Sequence, residues 1–257
     1  MLKISRTLGR RLAAYLSKPF PDYERHDSVP LERILQVIQP GDILLVDGNS
    51  RISSAIKYLT QSTWSHACMF MGLIDQSTDI PCLIEADLNE GVTLVPLNKY
   101  QHYNLRICRP VGLTEIEKRK LLSFVEERLG YRYDMKNIID LMRYLIQNPM
   151  VPARYRRQLI SLGSGEPTKA ICSTLIAQAF QSINYPIMPR PQPGADSAEQ
   201  EYRQRHFTHF VPRDFDLSPY FQVVKPTIEQ GFDFHRVNWR PEGEHHSPLS
   251  APPKAVR

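Results

Sequence analysis

The sequence predicts an α+β fold, an antiparallel sheet packed against helices, and three observations predict it. Short apolar runs with strand character follow one another between residues 43 and 109, separated by brief turns. From Thr114 onward the apolar spacing becomes helical. Phe221-Gln222-Val223-Val224 then reads as a single late strand. Strands gathered in one block and helices in another fit α+β better than an alternating α/β order.

The elements follow in chain order. A helical stretch over 31–38 ends at Pro40-Gly41-Asp42, whose composition punctuates the chain. Ile43-Leu44-Leu45-Val46 reads as a buried strand, and 50–60 as a helix with Ile52, Ala55, Ile56 and Leu59 on one side. Strands are expected over 65–74, 81–86, 91–96 and 104–109; as sequential neighbours with short turns they predict a meander. Thr114 followed by Glu117 is a capping-box signature, and Ile116, Leu121, Phe124, Val125 and Leu129 continue its apolar face until Gly130. A second helical stretch covers 136–147, and 149–167 reads as a loop or lid. A further helix spans 170–183, and the four prolines of 188–199 indicate an irregular loop.

Residues 1–30 divide from this body as a basic amphipathic helix and linker, the main domain covers 31–240, and 241–257 is a Pro-, His- and Ser-rich tail with little to bury. At 257 residues with 42% hydrophobic composition the chain is large enough for a sizeable core. Its 32 basic and 27 acidic residues leave a net charge of +5. The excess gathers at Lys3, Arg6, Arg10, Arg11 and Lys18 and at Arg154, Arg156 and Arg157, without the interleaved aromatics of a nucleic-acid surface, so no nucleic-acid partner is expected. Residues 1–18 suit either a helix packed on the domain or one lying on anionic lipid. No apolar run has the length of a membrane span, and the N-terminus lacks a Sec-type signal. With four cysteines and no CxxC pair, a reducing, cytoplasmic setting, peripheral to a membrane if residues 1–18 bind lipid, is the expectation.

Cys172 stands where the helix of 170–183 begins, and N–H groups and dipole at a helix start favour thiolate over thiol. Cys68, Cys82 and Cys108 lie in apolar runs and read as small hydrophobes. His66, in Thr63-Trp64-Ser65-His66, opens an apolar strand from which its ring can project toward a helix start. His206 and His209 have metal-pair spacing only if their loop is helical. Glu85 is acidic inside an apolar strand, a placement that costs free energy unless the carboxylate is paired. It is expected to face His66 Nδ1, with Asp87 as the fallback on the same strand face. Thiol, imidazole and carboxylate together suit nucleophilic catalysis.

Pro40-Gly41-Asp42-Ile43-Leu44-Leu45-Val46, Trp64-Ser65-His66, Ile84-Glu85-Ala86 with Gly91-Val92, Gly130-Tyr131-Arg132-Tyr133-Asp134 and Ile171-Cys172-Ser173 come in an order that resembles the YiiX/YebB-like cysteine hydrolases. These are relatives of the NlpC and LRAT-like enzymes, with a circularly permuted papain-like fold. The resemblance runs from about residue 40 to 180, with 212–225 similar to the family's closing segment. It implies an antiparallel sheet or barrel against a helix carrying the nucleophile, with Cys172, His66 and Glu85 as a triad. It also implies oxyanion or substrate contacts near Ser173, Asp42, Tyr133 and Asp134, with a bracing role for Asp42. The implied chemistry is hydrolysis of an amide or ester in a cell-wall peptide or a lipid, with no cofactor and no metal. An LRAT-like acyltransferase and an inactive binding module of the same fold are the alternatives.

Overall fold

The computed structural model describes residues 18–131 and 171–236, apart from positions 22, 27–28, 74–79, 88–89, 189, 192–201 and 204. The helices expected over 1–18 (all but Lys18) and 136–147, the loop 149–167 and the tail 241–257 lie outside the described residues, as does most of 188–199.

Six strands form one antiparallel sheet: β1 (Ile43–Asp47), β2 (His66–Leu73), β3 (Pro81–Asp87), β4 (Gly91–Pro96), β5 (Asn104–Pro110) and β6 (Phe221–Val224). Their order is β4-β3-β2-β1-β5-β6. The expected meander holds for β1 to β4; β5 then returns to the free side of β1, and β6 adds the outer edge. Helices α1 (Leu31–Leu35), α2 (Arg51–Thr60), α3 (Glu115–Glu126), α4 (Ile171–Ser182), α5 (Pro212–Leu217) and α6 (Pro226–Glu229) surround it.

Both faces of the sheet are covered, and the alternation of side chains along a strand decides which residue meets which core. Ile43 and Leu45 of β1 join Ala67, Met69 and Met71 of β2 under α3 and α4, with Leu121, Val125, Leu175, Ile176 and Phe180. Leu44 and Val46 point the other way, with Cys68, Phe70, Leu83, Leu97 and Tyr100. Every residue of β1 is therefore buried, which explains an apolar run without alternation. A two-sided core also explains the short, closely spaced strands.

Local signals set the element ends. Ser50 caps α2 by accepting from Ser53 N–H, and Thr114 and Glu117 form the full capping box of α3. Gly41 has φ of +92°, which lets the turn reverse tightly into β1. Beside it Asp42, almost fully buried, accepts from Gln39 N–H and pairs with Arg109 at 2.7 Å.

Candidate active site

The catalytic candidates start from the entry to β2. Trp64 donates through Nε1 to Asp216 Oδ2 at 3.1 Å, and Arg106 lies over its ring while pairing with the same aspartate. Ser65 Oγ accepts from Gly48 N–H at 2.9 Å and donates to Val46 O. A Cβ on Gly48 would stand 2.5 Å from Ser53 Oγ and 2.8 Å from Ser65 Oγ, so this close approach needs glycine. These contacts fix where His66 begins the strand.

His66 and Cys68, two residues apart, share one strand face, and Glu85 of β3 presents to the same face. His66 Nε2 lies 3.0 Å from Glu85 Oε2, and Cys68 Sγ lies 3.5 Å from that same oxygen. Lys99 Nζ donates to Glu85 Oε1, and the Tyr100 hydroxyl donates to Oε2. The carboxylate is 1% exposed, yet every oxygen is partnered. Burial alone would push the Glu85 carboxyl up; the hydrogen bond and charge of His66 and the Lys99 ammonium outweigh it and hold Glu85 well below the usual carboxylate range.

Cys172 is the second residue of α4, in a helix whose Leu175, Ile176 and Phe180 lie in the opposite core. Cys172 and His66 line the same cavity at the end of the sheet, where the β2–β3 ladder has stopped at Met69↔Ile84. Burial pushes the Cys172 thiol up, but the charge and hydrogen bond of His66, the Ala67 backbone N–H and the Ser173 hydroxyl bring it below the free-thiol value. Ser173 Oγ is 3.9 Å from Cys172 Sγ. For His66 burial lowers the pKa and the neighbouring thiols Cys68 and Cys172 raise it, with the net direction well above the ordinary value. Burial pushes Cys68 up to about 11, so near neutral pH it remains a thiol.

The structure thus brings Cys172, His66, Glu85 and Ser173 together. One detail differs from expectation: Glu85 meets Nε2, not Nδ1, because it approaches from the neighbouring strand. Asp42 is not part of this group; it sits before β1, whose far end carries Val46 opposite His66, and its carboxylate is engaged by Arg109 and Gln39. Its part is the bracing one. Tyr133 and Asp134 lie outside the described residues. Asp87 accepts from Glu90 N–H at the site's rim, and it is Glu85 that meets the His66 ring. His206 hydrogen-bonds Thr208, and no metal-type cluster includes His206 or His209 among the described residues.

Three neighbours were not anticipated. Cys68 is no passive core thiol, and alternation from His66 was the signal that places it on the same face. Lys99 and Tyr100 come from a 3-10 turn, Leu97–Tyr100, after β4, and no pattern in the sequence ties that turn to Glu85. A cavity of about 260 Å³ opens beside His66 and Cys172, walled by Ile52 and Ile56 of α2 and bordered by Asp87 and Lys99. Among the described residues no helix is long and apolar enough to cross a membrane.

Comparison with known proteins supplies the remaining facts. The Escherichia coli K12 protein called probable lipoprotein peptidase YaeF is 22% identical over 166 residues. That alignment covers 58% of this chain, and the chain spans 58% of the relative's length. The solved structure titled metalloprotein yiiX, from Escherichia coli O157:H7, superposes with a TM-score of 0.45 at 18% identity, covering 73% of this chain and 96% of that one. A family model described as permuted papain-like amidase enzyme, YaeF/YiiX, C92 family, matches residues 37–145, a span that includes His66 and Glu85 and ends before Cys172. With the mixed helix and antiparallel-sheet architecture around those two residues, this part of the chain is similar to the permuted papain-like YaeF/YiiX family.

Proposed function

We propose that the chain is a cysteine hydrolase that cleaves an amide or ester through an acyl-enzyme, with Cys172 as nucleophile, His66 as base and Glu85 as orienter. The observation that carries this reading is the position of His66, which lines one cavity together with Cys172 and lies 3.0 Å from Oε2 of the buried Glu85. A thiol and base so arranged, with the base held by a third group, is the constellation nucleophilic catalysis requires.

The Cys172 thiolate attacks the carbonyl carbon, and the oxygen that becomes negative is met by the N–H groups of Cys172 and Ser173 at the start of α4. His66 then passes a proton to the leaving amine or alkoxide. Water, deprotonated by His66, attacks the acyl-enzyme and restores the thiolate. Glu85 keeps the ring in register and stabilises the imidazolium. Ile52 and Ile56 give the cavity an apolar wall, and Asp87 and Lys99 give it a polar rim, which suits an acyl group carrying polar substituents. The family description as an amidase and the relative's designation as a peptidase favour an amide in a peptide over a lipid ester.

The test is selective alkylation. Iodoacetamide at neutral pH, followed by peptide mass spectrometry, should modify Cys172 far faster than the buried Cys68 and Cys108. His66→Ala should remove that advantage, and Cys172→Ala should abolish turnover of a peptide-amide panel. Equal, slow labelling of Cys172 and Cys108 in the native protein would sink the reading.

A further inference from the structure

From the same cluster we infer a second property: His66, Cys68 and Glu85 form a three-ligand site for a thiophilic divalent cation, Zn²⁺ above all, whose occupation silences the His66–Cys172 pair. The binding site stands on geometry alone; only the silencing rests on the hydrolase reading.

The three donor atoms lie within 4.8 Å of one another, two on β2 and one on the adjoining β3. A tetrahedral zinc with Zn–N and Zn–O near 2.0 Å and Zn–S near 2.3 Å needs ligand separations of roughly 3.3–3.6 Å. Nε2 to Oε2 is 3.0 Å and Sγ to Oε2 is 3.5 Å, so two of the three edges already stand close to what zinc needs, and the third, from His66 to Cys68 within 4.8 Å, closes by a side-chain adjustment as the metal enters. One sulfur, one imidazole nitrogen and one carboxylate oxygen form a donor set suited to zinc rather than to magnesium or calcium. Three protein ligands leave a fourth position for water.

The charge balance is favourable. Without metal, Glu85 Oε2 is approached by the Nε2 proton of His66 and the thiol proton of Cys68. Entry of one divalent cation displaces those two protons to solvent, so the cluster's net charge does not change. Lys99 holds Oε1, the other carboxylate oxygen, and stays in place. The Tyr100 hydroxyl remains on Oε2 as an outer contact that fixes the carboxylate's orientation.

Cys68 is what makes the site. The proposed hydrolysis has no use for it, yet it is fully buried beside the base. With Nε2 engaged in coordination, His66 keeps a single N–H on Nδ1 and can no longer become the imidazolium that accompanies the Cys172 thiolate. Catalytic and metal-bound states therefore exclude one another through one nitrogen atom.

Co²⁺ added to the full-length protein is the probe, because cobalt bound to a thiolate has a near-ultraviolet charge-transfer band that does not depend on turnover. One equivalent should bring up the band in wild type and in Cys172→Ala. Cys68→Ser should lose it and bind at least about 100-fold more weakly, since a lost ligand costs no less than the 10–100-fold of outer-contact changes. A band that survives Cys68→Ser but disappears in Cys172→Ala would overturn the assignment, as would absence of binding to wild type. Should Cys68→Ser lose its circular-dichroism signature of folding, X-ray absorption on the Zn²⁺-loaded wild type decides: one sulfur at about 2.3 Å supports the site, and none or two refutes it. Bound Zn²⁺ should slow Cys172 alkylation reversibly, with EDTA restoring the rate; tight binding with undiminished alkylation would remove the silencing and leave the hydrolase reading intact.

Discussion

Glu85 shows how one residue is made usable by its neighbours. A carboxylate this deeply buried is destabilised as an anion unless charge and hydrogen bonds compensate, and here a lysine, a tyrosine and an imidazole do so together. Tyr100 is the most informative member because its hydroxyl donates to the same oxygen that receives His66. Tyr100→Phe keeps the ring packed against Tyr103 but deletes that donor. A hydrogen bond to a charged group contributes roughly 1.5–3 kcal/mol to stability, so the urea midpoint should fall accordingly and, with Glu85 less firmly held, Cys172 alkylation should slow. Unchanged alkylation would show that Lys99 and His66 suffice to hold the carboxylate.

Among the elements, α3 and α4 have separable tasks. α4 carries Cys172, and its Leu175, Ile176 and Phe180 anchor it to the sheet, so the thiol's position follows from packing along the whole helix. α3 covers the same face through Leu121 and Val125 and places none of its residues beside His66. Thr114→Ala, which breaks its capping box, should cost about 1 kcal/mol in urea unfolding and leave the Cys172 labelling rate as it is. A loss of labelling together with stability would mean that α3 reaches the site through α4, against which it packs.

For the molecule as a whole, the sheet joins two cores, and the site lies where the two meet at the end of β2. The buried Asp42 and its partner Arg109 brace the opposite end of β1. Removing one member of a buried pair strands the other's charge, so Arg109→Met should destabilise the fold by about 3 kcal/mol or more, seen as a lower urea midpoint at unchanged slope. Under native conditions the same variant should label at Cys172 as fast as the parent. Slower labelling there would show that the brace and the site are coupled along β1.

Much of this was legible in the sequence because it depends on local rules. Strand and helix periods, the Thr114 cap and the turn at Gly41 are each decided within a few residues, and among the described residues the elements formed where those signals stood. A lone acidic residue in an apolar strand announced that Glu85 needs a partner, and a cysteine at a helix start marked Cys172 as the candidate nucleophile. Tertiary structure alone decided the rest. Strand order returned β5 to β1, the approach from β3 gave Glu85 the Nε2 side of His66, and a turn after β4 brought Lys99 and Tyr100 onto the same carboxylate. Cys68 entered the cluster through cross-strand register, which a one-residue slip would have moved to the opposite face. Contacts between distant segments depend on how faces pair in space, and the order of residues along the chain does not encode that pairing locally.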